Sequence, residues 1–181
     1  MSKQLTVASR AHASTGPQAV WALLEDVNRY SDWGPWSESG YVEQPHESPH
    51  GPGAIRWLRY RNRRAVTIEP VVEAQPGRRL VYEVTSGLPV RNYRATVELT
   101  PSASGTEVEW RASFDRTLRG RLVRRILQRV YEEVVGSLVA AAEAGPGGEA
   151  PRSLTASRPP DRREERRGGR RAAARRPGGG C

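Results

Sequence analysis

The sequence predicts an α+β domain: an antiparallel sheet of about seven strands, covered on one face by a long C-terminal helix, with two short helices after the first strand. Three observations carry the prediction. From residue 38 to residue 115 apolar residues recur with a period of two, residues 118–144 carry an apolar stripe at helical spacing, and the strands precede the long helix instead of alternating with helices.

Taken in order, residues 4–12 (QLTVASRAH) alternate weakly and fit a first strand. In STGPQAVWALLEDV, Thr15 and Gln18 have capping-box spacing, Pro17 falls near the first helical position, and Val20, Trp21, Leu23 and Leu24 recur as one face of a helix over about 17–27. A second helical turn over 28–33 leads into a segment, DWGPW, that combines turn residues with Trp33 and Trp36. Strands are expected at about 39–44, 54–61, 64–74, 79–86, 91–100 and 105–115, separated by turn residues such as Asn62, Pro76-Gly77 and Gly87. The last two alternate most clearly, with Tyr93, Ala95, Val97 and Leu99 opposing Arg94, Thr96 and Glu98, and Val108, Trp110, Ala112 and Phe114 opposing Glu107, Glu109 and Arg111. Such a sheet is wet on one face and covered on the other. The cover is the stretch 118–144, where apolar pairs such as 122/123, 126/127 and 130/131 oppose Arg121, Arg125, Arg129 and Glu132, ended by Gly145-Pro146-Gly147-Gly148.

Composition divides the chain in two. Residues 152–181 hold ten arginines and three acids, with Leu154 as the one large aliphatic and no aromatic residue. Removing them from the 29 basic and 20 acidic residues leaves 19 and 17, so the remainder is nearly neutral and the net charge of +9 belongs mainly to the tail. A segment that polar cannot bury enough apolar area to offset its ordering entropy. The expected organisation is therefore a folded domain over 1–145 and a disordered Arg/Gly/Pro-rich tail over 146–181. The single cysteine, Cys181, rules out an intramolecular disulfide and a cysteine-built metal site. The N-terminus lacks the apolar run of a signal peptide and no stretch approaches a membrane span, so a cytoplasmic protein is expected.

The run AVWALLEDVNRYSDWGPW after a first strand, then a meander of strands and a long C-terminal helix, resembles the polyketide cyclase/dehydrase-like branch of the START and Bet v 1-like (SRPBCC) superfamily, the helix-grip fold. The sharpest matching elements are Val20 to Leu24, Asp26, Tyr30 and Trp33, and the resemblance spans about residues 3–143. It implies a sheet wrapped around the long helix, with a cavity between them for an apolar or amphipathic small molecule. It carries over no catalytic motif.

On that reading the inward aromatic residues Tyr82, Tyr93, Trp110 and Phe114, faced by Leu127 and Tyr131 of the helix, are candidate ligand-binding residues. Trp36 is a candidate for the cavity entrance, whereas Trp21 and Trp33 read as packing residues. The strand 54–61 leaves two alternatives. Either Ile55, Trp57 and Arg59 face inward, making Arg59 a carboxylate or enolate partner, or Ala54, Leu58 and Tyr60 do and Arg56 takes that position. Tyr93 and Arg59 are the candidate catalytic pair, working by positioning and charge stabilisation. No cysteine nucleophile, Ser-His-Asp spacing, Gly-rich phosphate loop or metal-ligand spacing is read from the chain, His46 and His50 being too sparse, and no cofactor is expected. The expected function is binding of a lipid, polyketide or isoprenoid type of molecule, with cyclase, aromatase or dehydratase catalysis in the same cavity as the alternative. Paired arginines such as 162/163 and 166/167 add an expectation of weak, salt-sensitive polyanion binding through the tail.

Overall fold

A computed structural model describes residues 4–145 except Asn62, with backbone only at Leu118 and Arg119. The expected tail, 146–181, lies outside the described residues. Seven strands form one antiparallel sheet: β1 (Gln4–Ala13), β2 (Trp36–Glu43), β3 (Ile55–Tyr60), β4 (Val66–Gln75), β5 (Arg79–Val84), β6 (Tyr93–Ser102) and β7 (Gly105–Asp115). Their spatial order is β1-β7-β6-β5-β4-β3-β2, so a meander runs from β2 to β7 and β1 closes its far side. The chain crosses from β1 to the opposite edge through α1 (Pro17–Glu25), a 3-10 turn at Val27–Arg29 and α2 (Tyr30–Trp33). The long helix α3 (Leu118–Ala144) then packs on β1 and β7 and meets α1.

Each strand of the meander reaches the next through a turn or loop with no helix between, which is why consecutive strands are neighbours. At Gly87, between β5 and β6, φ is +90° and an added Cβ would lie 2.2 Å from the Val66 carbonyl oxygen, so the tight approach requires glycine. Register shifts between Val71 and Glu73 on β4, and along β2, bend the sheet around α3. Burial alternates along β6 and β7 as the apolar pattern predicts, Tyr93, Ala95, Val97 and Leu99 being buried beside Val108, Trp110, Ala112 and Phe114. Leu127, Tyr131, Val134, Val135 and Leu138 of α3 meet them.

Polar contacts fix where the helix lies. Thr117 caps α3 by accepting from the Gly120 amide at 2.9 Å. Gln128 donates to the Ala8 carbonyl at 2.8 Å and accepts from its amide, serving the outer edge of β1 as a further strand would. Near the other end, the Glu143 carboxylate accepts from both the amide and the hydroxyl of Ser14. The expected capping box at α1 does not form. Pro17 occupies the first helical position and makes Gly16 the cap, while the Thr15 carbonyl accepts from the Thr106 hydroxyl at 2.7 Å.

Candidate functional site

Sheet curvature leaves a cavity of about 450 Å³ between the inner face of β3 to β7 and α3. Its residues grade from exposed to buried. Arg63, Pro89, Ile126 and Arg129 stand at the exposed end, whereas Glu69, Tyr82, Tyr93, Trp110 and Tyr131 form the buried end. Apolar side chains from both layers, including Val84, Leu88, Leu127, Val130 and Val134, make up the walls between them.

The buried end is built from phenols. Trp110 Nε1 donates to Tyr82 Oη at 3.1 Å, and the indole stands edge-on to both Tyr82 and Tyr131. Tyr93 and Tyr131 hydrogen-bond to each other, one from β6 and one from the helix. Phe114 stacks on the Tyr93 ring with centroids 6.1 Å apart. Burial raises the pKa of Tyr82, Tyr93 and Tyr131 above the usual phenol value, because the charged phenolate would lose its hydration. The three hydroxyls are therefore neutral donors and acceptors at neutral pH.

Beside them lies an ion pair. Arg56 of β3 and Glu69 of β4 face each other in register, and Arg56 Nη2 donates to Glu69 Oε2 at 3.0 Å. The guanidinium also donates from Nη1 to Tyr30 Oη at 3.1 Å and lies 4.6 Å from the centroid of the Tyr82 ring. Thr67 Oγ1 donates to the second carboxylate oxygen of Glu69, and Tyr30 Oη donates in turn to the Leu24 carbonyl. Burial raises the Glu69 pKa, opposed by the attraction of Arg56. Glu69 reaches the cavity wall while Arg56 is sealed behind it.

Six of the nine candidate ligand-binding residues line this cavity: Trp36, Tyr82, Tyr93, Trp110, Leu127 and Tyr131. Three stand elsewhere. Strand β3 turns Arg56, Leu58 and Tyr60 inward, the second of the two alternatives, and this places Trp57 and Arg59 on the outer face. Trp57 is buried there with its indole against Gly40 of β2, where an added Cβ would stand 2.9 Å from Nε1. Arg59 Nε pairs with Glu38 at 3.4 Å, so the proposed catalytic pair with Tyr93 does not assemble. Phe114 is fully buried behind Tyr93 instead of facing the cavity. Tyr30, Trp33 and Trp36 pack on one another at centroid distances of 5.0–5.4 Å, which gives the indoles of the DWGPW segment their apolar surface. Sequence reasoning passed over Glu69 and the role of Tyr30. The signal available for Glu69 was a cross-strand pairing of opposite charges between the expected strands 54–61 and 64–74.

All six tyrosines have raised pKa values, Tyr41 and Tyr60 to about 12, with burial as the leading cause. Their folded-state values lie above that of an unfolded tyrosine, about 10. Stability from these groups is thus complete below about pH 10 and lost as pH rises further, when unfolding releases phenols to ionise. An absorbance titration at 295 nm should show tyrosinate appearing together with the loss of secondary structure by circular dichroism. Several phenols ionising at about pH 10 in a fully folded chain would contradict the described burial.

A curled antiparallel sheet gripping one long helix around a cavity defines a helix-grip α+β protein. The chain belongs to the family described as polyketide cyclase / dehydrase and lipid transport, whose profile matches residues 4–143. Among solved structures it is similar to a protein from Thermobifida fusca, with 25% identity, a TM-score of 0.64, and coverage of 77% of this chain and 93% of that one. It is also similar in fold to the Zhui aromatase/cyclase from a Streptomyces species, with 14% identity, a TM-score of 0.66, and coverage of 82% and 100%. A protein from Chromobacterium violaceum shares the fold at 16% identity and a TM-score of 0.60, with coverage of 76% and 96%. A comparison with curated proteins finds none that matches. Among the described residues no helix is long and apolar enough to cross a membrane, and no cluster of three metal-ligating side chains occurs.

Proposed function

We propose that the protein binds a hydrophobic or amphipathic small molecule, of lipid, polyketide or isoprenoid type, in the cavity between sheet and helix. One observation carries this reading: a cavity of about 450 Å³ whose walls are apolar and whose buried end presents neutral phenol hydroxyls. That volume falls in the range of small-molecule sites, and the combination suits a largely apolar ligand with one oxygen function directed inward. Native mass spectrometry of the full chain, followed by extraction, tests it. The expected result is a discrete additional mass of a few hundred daltons, carried over from expression or acquired from added lipids and aromatic polyketides. A spectrum that stays at the bare chain mass under both conditions would refute the reading.

A second reading, catalysis of the cyclase, aromatase or dehydratase type in the same cavity, is favoured by Glu69. A buried carboxyl group with a raised pKa on an apolar wall, close to phenols, suits proton transfer. Arg59 is displaced from this role by its position, and Arg56 is already held by Glu69. If the identified ligand is converted, Tyr93→Phe, and Glu69→Gln in an Arg56→Met background that leaves no charge buried alone, should each slow turnover by about 100-fold or more while retaining binding. Binding without conversion in the unmodified protein would leave the carrier reading alone.

A further inference from the structure

The exposed end of the cavity has a surface chemistry of its own. On the outer face of α3, Leu122 and Ile126 stand one turn apart and are 65% and 46% exposed. Leaving two large aliphatic side chains in water, side by side, has no benefit to the isolated fold. Arg121, Arg125 and Arg129 flank them on the same solvent-facing side, and all three are exposed. Ile126 and Arg129 are also part of the cavity rim, with Arg63 and Pro89 across from them. Among the described residues none of these four arginines has an ion-pair partner. The nearest helix acids, Glu132 and Glu133, accept from Gln128 and from the Tyr60 hydroxyl.

We propose that this face docks on an anionic membrane surface, with Leu122 and Ile126 entering the headgroup layer and Arg121, Arg125 and Arg129 pairing with lipid phosphates. The pattern is that of a helix lying in the interface plane, where aliphatic side chains insert and long cationic ones reach sideways to phosphate. Charge decides between occupants. The chain's own C-terminal segment cannot cover an arginine-bearing face, since residues 152–181 carry ten arginines against three acids. A protein partner is ordinarily held by aromatic anchors in pockets, whereas this face offers two aliphatic tips ringed by guanidinium groups. Docking would set the cavity mouth against the bilayer. Docking itself rests on the surface residues alone; that it loads the cavity rests on the ligand-binding reading above.

The test must separate this face from the basic tail, which can hold the protein near a vesicle without inserting anything. In the full chain, Cys181→Ser removes the native thiol, and Leu122→Cys or the exposed Val72→Cys on β4 carries a nitrobenzoxadiazole label. With phosphatidylcholine vesicles containing about 30% phosphatidylglycerol, the label at 122 should brighten roughly twofold or more and shift to the blue, while the label at 72 stays unchanged. Pure phosphatidylcholine and soluble heparin should leave both labels unchanged. Each Arg→Gln substitution at 121, 125 or 129 should weaken the response about fivefold in lipid concentration. Co-sedimentation with a silent label at 122 would mean attachment by the tail, and would overturn the proposal. An equal response to heparin would mean a site for any polyanion, an acidic protein included, and would overturn it too. Either failure leaves the native mass spectrum of the cavity untouched, so the two readings fail separately.

Discussion

Replacing Arg56 by methionine should destabilise the domain by about 3–5 kcal/mol, read as a shift in the urea midpoint at neutral pH. The guanidinium is 2% exposed, donates to Glu69 and Tyr30, and lies over the Tyr82 ring. Removing it strands the Glu69 carboxylate in a desolvated site with Thr67 as its remaining described donor. The loss should shrink as pH falls into the ordinary carboxylate range, because without the Arg56 attraction that opposes burial the Glu69 carboxyl takes up its proton at higher pH in the variant than in the parent, and once protonated it is no longer a stranded charge. Replacing both partners, Arg56→Met with Glu69→Leu, should recover stability to within about 1 kcal/mol of the parent, since no charge is then left buried alone. A single Arg56→Met variant that loses less than about 1 kcal/mol would mean that the pair is not the isolated unit described.

The second large effect is on binding. Val130→Trp places an indole in the middle of the cavity wall, so binding of a hydrophobic probe such as anilinonaphthalene sulfonate should weaken at least about tenfold. Stability should hold or rise, because the added ring fills existing space instead of displacing a packed core. Leu99→Trp serves as the contrast: Leu99 is buried in the core away from the cavity, and overpacking there should cost about 1–3 kcal/mol. Unaltered probe affinity in Val130→Trp would show that the probe binds outside the cavity.

The cavity's phenol end was legible in the chain because β6 and β7 alternate without interruption and α3 carries an apolar stripe of constant pitch. Period alone then assigns Tyr93, Trp110, Leu127 and Tyr131 to covered faces. It does not say whether a covered residue borders a cavity or a filled core. Phe114 shows the difference: it has the same phase as Trp110, yet Tyr93 lies between it and the cavity.

Strand β3 could not be read in the same way. In IRWLRY each face offers two large side chains with apolar surface and one arginine, so alternation fits either orientation equally well. The decision came from partners distant in sequence. Glu69 on the next strand gives a buried arginine its counter-charge, Tyr30 of the short helices gives it a hydrogen-bond acceptor, and Glu38 gives Arg59 a partner on the outside. Glu69 was itself hidden, because Pro70 and the nearby register shift break the period of β4. Element order, the meander and the covered faces of β6 and β7 follow from local spacing, whereas two of the α3 residues expected to cover the sheet, Leu122 and Ile126, face solvent instead. Which arginine is buried, which carboxylate meets the cavity and which aromatic rings border it depend on contacts between distant segments, because the cost of desolvating a charge is set by what surrounds it in space.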